Sequence, residues 1–92
     1  MHPFFRFILT LMPDKIYSDV RANIGLLFKK FRKLKKLSYR KVEAITGIDH
    51  SWISKFEKGK VNFEIDTLLK LASGLKIRIH DLTDFTHDFV DE

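Results

Sequence analysis

Residues 38–59, SYRKVEAITGIDHSWISKFEKG, decide the fold, because four of their positions mark the ends of two short helices. Ser38 and Asp49 are predicted N-caps, since their side-chain oxygens accept hydrogen bonds from the free amides of a first helical turn. Gly47 and Gly59 are predicted to end the two helices, and Gly47 permits the positive φ that lets the chain reverse direction quickly. Two short helices joined by a tight turn are therefore expected.

The apolar residues of this stretch give each of the two helices one inward face. We expect Val42 and Ile45 to face the core from the first helix, and Ile53 and Phe56 to do so from the second together with Ile48. The opposite side of the second helix begins with polar side chains. Such a helix suits the major groove of duplex DNA, because it presents hydrogen-bonding groups while its other side is anchored.

Helical spacing continues on both sides of this stretch. From Tyr17 onward, apolar residues recur every three or four positions, which predicts a helix that precedes the two above: Val20, Ile24, Leu27, Phe31 and Leu34. A fourth helix is expected to open at Asp66 or Thr67 and to carry the apolar residues Leu68, Leu71, Ala72 and Leu75, and a short fifth helix to carry Leu82 and Phe85. Residues 77–79 alternate in polarity, but three residues are too few for a strand. The sequence predicts an all-α, compact bundle of about five short helices.

The charges are segregated along the chain. The net charge is +5, and residues 29–41 contain eight basic residues and no acidic one. Residues 80–92 contain five acidic residues and no Lys or Arg. The basic stretch is expected to attract a polyanion that the C-terminal stretch repels. The alternative is that the basic stretch is simply the solvated face of a helix.

Length and composition exclude several classes of protein. A chain of 92 residues fits one domain, and 45% hydrophobic against 32% charged residues is too apolar for disorder. The absence of cysteine excludes disulfides, thiolate zinc sites and a cysteine nucleophile. No arrangement of residues suggests catalysis, so we expect a protein that is not an enzyme and needs no cofactor or metal.

The first residues are set apart by composition. Pro3 and Pro13 bracket an apolar block, residues 4–12, which is too short for a membrane span of roughly 20 residues and lacks a signal-peptide cleavage site. Either this block packs on the domain or on a second subunit, or Met12 begins the physiological chain. The expected organisation is an apolar segment over residues 1–16, a DNA-binding domain over 17–86 and an acidic tail over 87–92.

Three stretches together carry a resemblance to a known family. They are LSYRKV at 37–42, TGIDHSWISKFEKGK at 46–60 and TLLKLA at 67–72. They resemble the phage repressor and Cro-like (XRE-type) helix-turn-helix DNA-binding domains in the serine before helix two, the T-G turn, the ending of helix three and the L-x-K-L-A pattern of helix four. The resemblance covers residues 24–82 and implies a lambda-repressor-like DNA-binding fold.

The resemblance implies roles for particular residues. Those matching the base-reading positions are His50, Ser51 and Lys55, whose side chains suit base edges in the major groove. Those matching contacts to the DNA backbone or groove wall are Tyr39, Arg40, Trp52, Lys58 and Lys60. Arg32 and Glu57 match a structural ion pair between helices one and three.

Some residues depart from the family pattern or allow two interpretations. Tyr39 stands where a glutamine usually binds phosphate and supports the first base reader. Glu43 replaces a small residue, so it must either point outward or pair. Trp52 either packs against helix two or lies beside DNA. Four residues with helical spacing near the C-terminus could in principle hold a metal, but an acidic solvated end explains them more simply: His80, Asp84, His87 and Asp88.

The expected function is a cytoplasmic, sequence-specific regulator of transcription that binds double-stranded DNA as a homodimeric repressor. Surplus apolar residues place the expected dimer interface at Leu82, Phe85 and Phe89, joined by residues 4–12. One alternative is an antitoxin or phage-type accessory protein that acts mainly through a toxin or other protein partner. Another is a non-specific nucleic-acid-binding module, because fold does not fix function.

Overall fold

A computed structural model describes the backbone of residues 14–85 and the side chains of residues 17–85. The described residues form five helices: α1 (Asp14–Leu34), α2 (Tyr39–Thr46), α3 (His50–Glu57), α4 (Ile65–Leu75) and α5 (Ile79–Thr83). No strand occurs within these residues, so the predicted all-α fold is confirmed. The first helix is longer than predicted, with 21 residues. The fourth begins at Ile65, before the predicted Asp66 or Thr67, and its N-cap is Glu64, whose side chain makes no capping bond.

All five described helices contribute side chains to one core. Ten apolar side chains are buried in it: Ile24, Phe28, Val42, Ile53, Phe56, Leu68, Leu71, Ala72, Leu75 and Leu82. At its centre the rings of Phe28 and Phe56 meet edge to face at 5.5 Å. Each buried Leu, Ile or Phe stabilises the fold by about 1.5–3 kcal/mol relative to an exposed one, so this cluster anchors α3 from its inward side.

Two residues expected in the core are exposed. Leu34 is 67% exposed, because α1 buries the row centred on Ile24 and Phe28, and Leu34 lies about 120° around the helix from Phe28. Ile45 is 48% exposed, since Val42 takes the inward position on α2 and Ile45 lies beside it. The expected apolar faces of α1 and α2 were therefore wrong at these two positions.

Gly25 allows α1 to cross closely over the end of α3. A Cβ at this position would lie 2.3 Å from the carbonyl oxygen of Phe56 and 2.7 Å from that of Glu57. Neither carbonyl can move without moving the helix backbone, so only glycine fits without a shift of α1. This crossing fixes the position of α3 against the longest helix of the bundle.

The expected dimer interface needs correction. Leu82 is completely buried in the core of its own chain, so it has no surface to offer a partner. Phe85 lies just after α5, rather than on it, and packs partly against the same core. Phe89 lies outside the described residues, as do residues 1–13. None of the helices in the described part of the chain is long and apolar enough to cross a membrane.

Candidate nucleic-acid interface

The turn between α2 and α3 is held by the side chains and the glycine that the sequence indicated. Ser38 accepts a hydrogen bond from the backbone N–H of Lys41 at 3.0 Å and caps α2. Gly47 has a φ of +79°, and its N–H donates to the carbonyl of Glu43 at 2.7 Å. The hydroxyl of Thr46 donates to the carbonyl of Val42 and accepts the N–H of Ile48. These bonds fix the angle at which α3 leaves the turn.

Asp49 caps α3 as predicted. One of its carboxylate oxygens accepts the backbone N–H groups of Ser51 at 3.0 Å and Trp52 at 3.1 Å, and also the hydroxyl of Ser51. The hydroxyl of Ser51, followed by the N–H of Trp52, lowers the pKa of Asp49 below its ordinary value. The first turn of α3 is thus held by a carboxylate that stays ionised at neutral pH.

The two sides of α3 differ completely in character. Ile53, Phe56 and Glu57 are buried. On the outer side, Ser51 and Lys55 are exposed and lie four residues apart, so they share one face of the helix. His50, the first residue of α3, is half-buried beside them. The structure therefore brings the three expected base-reading residues to the outer surface at and after the start of α3.

His50 is held by a carboxylate from α2. Its Nδ1 lies 2.7 Å from Oε1 of Glu43 and 3.8 Å from Oδ1 of Asp49. The alternatives for Glu43 were to point outward or to pair, and the structure shows that it pairs. A ligand atom of each of these three residues lies within 4.8 Å of the others, so two carboxylates face one imidazole.

Arg32 and Glu57 meet inside the protein. Nε of Arg32 donates to Oε2 of Glu57 at 2.6 Å, and Nη2 donates to Oε1 at 3.1 Å. A further nitrogen of Arg32 donates to the carbonyl of Leu37 at 2.8 Å. The hydrogen bonds to Glu57 raise the pKa of Arg32 above its ordinary value. This buried pair links α1 to the last turn of α3.

Tyr39 completes this inner network. Its hydroxyl donates to Oε1 of Glu57 at 2.8 Å, and its ring lies 4.2 Å from the guanidinium carbon of Arg32. Burial, followed by the bond to Glu57, raises the pKa of Tyr39. A phenol has one proton to donate in a hydrogen bond, and here it is donated to Glu57. Tyr39 therefore has no proton left to donate to a phosphate.

Trp52 packs on its own helix and the following loop. Its ring stacks on Phe56 at 5.4 Å with an interplanar angle of 15°. It also lines a shallow groove with Phe63 and Thr67, and it remains half-buried. Trp52 therefore packs against Phe56 and lines the groove beside the segment between α3 and α4.

Exposed basic side chains precede and follow α3 along the chain. Arg40 on α2, Lys58 at the end of α3 and Lys60 beyond it are all exposed. The basic stretch contributes further exposed cations: Lys30, Lys33, Lys35, Lys36 and Lys41. Arg32 is the one buried residue of that stretch, and it forms an ion pair with Glu57. At the other end of the domain His80 and Asp84 are exposed, whereas His87 and Asp88 lie outside the described residues.

Comparisons with known proteins find helix-turn-helix proteins that are similar in sequence. A family model described as helix-turn-helix matches residues 28–82. An uncharacterised HTH-type transcriptional regulator of Sinorhizobium fredii, y4dJ, is 34% identical over 59 residues, which cover 64% of this chain and 77% of the relative. The control protein C.MunI of a Mycoplasma species is 33% identical over 66 residues, which cover 71% of this chain and 89% of the relative.

A solved structure extends the likeness to three dimensions. The crystal structure of the restriction-modification controller protein C.AhdI from Aeromonas hydrophila aligns with a TM-score of 0.67 and 30% sequence identity. The alignment covers 72% of this chain and 94% of that chain.

Proposed function

Because this chain belongs to the helix-turn-helix family of transcriptional regulators, with a Cro/C1-like domain, we propose that it binds specific double-stranded DNA sequences as a homodimeric repressor. The observation that carries the proposal is the division of α3 into two sides. The inner side is anchored by Ile53, Phe56 and the Arg32–Glu57 pair, while the outer side carries the exposed Ser51 and Lys55. Exposed Lys58 and Lys60 follow directly along the chain. An α-helix of this kind fits the major groove of B-form DNA.

Base reading is proposed for His50, Ser51 and Lys55. Lys55 suits the O6 and N7 acceptors of guanine, and Ser51, whose hydroxyl proton is donated to Asp49, can accept a hydrogen bond from a base amino group. Phosphate binding is proposed for Arg40, Lys58 and Lys60, since their exposed charges lie beside α3 on neighbouring turns of the chain. Phosphate contacts supply affinity and fix the position of the protein on DNA, whereas contacts to bases supply the sequence preference.

A homodimer follows from the small size of one reading surface. One α3 contacts only a few base pairs, so two copies related by a two-fold axis are needed to read a site of useful length. Their α3 helices would lie about 34 Å apart, one turn of DNA, on a palindromic sequence. Since Leu82 is buried, the pairing surface must use other residues of the chain.

The test is selection of bound duplexes from a random DNA library at near-physiological salt, followed by sequencing. We expect a convergent palindrome whose half-sites are separated by one helical turn, and a dimer mass by light scattering when that duplex is bound. A pool that never converges, although binding persists at low salt, would show that the cations bind phosphates without any reading of bases.

The length of the structural match favours a more specific proposal about the biological role. Nearly the whole chain of C.AhdI, 94%, aligns with this protein, so the likeness is to a complete controller protein rather than to a shared fragment. We propose control of restriction-modification genes as the biological role. The selected DNA sequence should then occur in the promoter of such genes in the source genome, and its absence there would reject this role while leaving specific DNA binding intact.

A further inference from the structure

We propose that Glu43 is a positioning residue that sets which hydrogen-bonding group of His50 meets the DNA. In this proposal Glu43 holds the proton of the imidazole on Nδ1, so that Nε2 reaches the major groove as a hydrogen-bond acceptor. The proposal rests on the proposed function, in which α3 reads bases, and it adds the chemical class of base that His50 selects.

In the neutral ring, the geometry favours one position for the proton. An ionised carboxylate can only accept hydrogen bonds, and Oε1 of Glu43 lies 2.7 Å from Nδ1 of His50. A neutral imidazole carries one proton, so a bond of this length to Glu43 places that proton on Nδ1 and leaves a lone pair on Nε2. In a free histidine side chain the opposite tautomer, with the proton on Nε2, dominates. Glu43 thus reverses the ordinary preference.

The surroundings of the imidazole support the same assignment. The second carboxylate that faces it, from Asp49, also approaches Nδ1, with its Oδ1 at 3.8 Å. Its other oxygen is committed to the cap of α3, so Asp49 cannot turn toward Nε2 without losing that cap. From α2, Tyr39 directs its hydroxyl away to Glu57, which leaves Glu43 as the α2 side chain bonded to His50.

An acceptor at Nε2 selects bases by their amino groups. In the major groove adenine offers the N6 amino group and cytosine the N4 amino group, whereas guanine and thymine offer carbonyl oxygens. Nε2 therefore pairs with adenine or cytosine and is repelled by the oxygen of guanine or thymine. Protonation of the imidazole would turn Nε2 into a donor and invert this preference, and the two charged groups facing the ring in that state are Glu43 and Asp49.

The first test needs no DNA and reads the tautomer directly. Nitrogen-15 NMR of the uniformly labelled protein, with His50 assigned by its loss in His50→Gln, should show Nδ1 protonated and Nε2 unprotonated. Glu43→Gln should move the ring to a mixture of tautomers, because an amide can either donate or accept, and Glu43→Ala should restore the ordinary tautomer. Asp84→Asn, which removes an exposed carboxylate beyond α5, should change nothing. A protonated Nε2 in the neutral ring of the wild type would overturn the proposal.

The second test measures base preference. The base pair read by His50 is the one at which His50→Ala loses its preference in the duplex selection. There the wild type should favour adenine or cytosine by about tenfold, Glu43→Gln should reduce this ratio severalfold, and Asp84→Asn should keep it. If the wild type selects a site but Glu43→Gln keeps the full ratio, Glu43 has no positioning role. If the wild type selects no sequence at all, the proposed function fails, while the NMR result still decides the tautomer.

Discussion

At the scale of single residues, one carboxylate ties the recognition helix to the rest of the protein. Glu57 is 5% exposed and receives bonds from Arg32 and Tyr39, so each of its two oxygens is used. Burying two charges costs solvation free energy that their attraction only partly offsets, so the pair need not add much net stability. Removing one partner is different, because the remaining charge is left buried and unpaired.

This asymmetry predicts an order of effects on the free energy of unfolding. Glu57→Ala should cost about 3–5 kcal/mol, because Arg32 stays charged and buried. That is comparable to the whole stability of a small domain, so Tyr39→Phe is the more informative variant. It removes one hydrogen bond to a charged group and should cost about 1.5 kcal/mol in urea unfolding at pH 7.

Tyr17→Phe is the matched control, since Tyr17 is 50% exposed on α1 and the same hydroxyl is removed. It should change the free energy of unfolding by less than about 0.5 kcal/mol. Equal stability of Tyr39→Phe and Tyr17→Phe would show that the bond from Tyr39 to Glu57 contributes nothing.

At the scale of helices, the helix ends that carry a capping side chain or a glycine could be predicted from the sequence, and the other ends could not. Ser38, Asp49 and Gly47 act through bonds to residues within four positions, so the sequence was enough to identify them. Lys36 and Lys76 adopt left-handed conformations, each with φ of 57°, where helices usually carry glycine. Nothing in the residue type marks those two ends.

Helix faces were predictable only where apolar residues lie on one side. On α4 the spacing identified Leu68, Leu71, Ala72 and Leu75, all of which are buried. On α1 apolar residues occur all around the helix, so periodicity alone could not choose between the row of Phe28 and that of Leu34. The choice is made by the close crossing at Gly25, a tertiary contact that the sequence does not display.

The cap of α3 predicts a dependence of stability on acid. The pKa of Asp49 is lowered in the folded protein, so the stability from its cap is complete above the ordinary pKa of about 3.9 and is lost as pH falls through the lower, folded value. Asp49→Asn still caps a helix but does not titrate. The urea midpoint of the wild type, relative to that of Asp49→Asn, should therefore be constant from pH 7 to 5 and should fall below about pH 4.

Other carboxylates also titrate in this range, and Asp81 has a lowered pKa through its bonds to Arg78. The comparison cancels them because they are present in both proteins. A difference between the two midpoints that does not change from pH 6 to pH 2 would contradict the role of Asp49 as an ionised cap.

At the scale of the whole molecule, the sequence predicted which residues share α3 but not the contacts that these residues make with other helices. The resemblance placed His50, Ser51 and Lys55 on one helix, and in the structure Ser51 and Lys55 are exposed on α3 beside the half-buried His50. The bond between Glu43 and His50 crosses the turn, so it depends on the angle between two helices. The expected interface at Leu82 was wrong because Leu82 is buried in the core of its own chain. From the sequence alone, an apolar residue near a chain end cannot be assigned to its own core or to an interface with a partner.

If some side chains read bases and others bind phosphates, substitutions in the two groups should weaken DNA binding in two distinguishable ways. Lys55 lies on the outer side of α3, one turn after Ser51, whereas Lys60 lies in the segment that follows. Lys55→Ala should cost about 1–3 kcal/mol at a single base-pair position and relax the preference there. Lys60→Ala should weaken binding to all sequences alike and reduce the slope of log K against log salt by about 1.

Both effects are measured by titrating the selected duplex, its single-base variants and a random duplex at several salt concentrations. Lys70→Ala is the control, because it removes the same charge from the exposed side of α4, which carries none of the proposed contacts. It should leave both the base preference and the salt slope close to those of the wild type. If Lys55→Ala and Lys60→Ala instead produce the same uniform loss, Lys55 binds phosphate, and the preference must come from His50, Ser51 or the shape of the DNA.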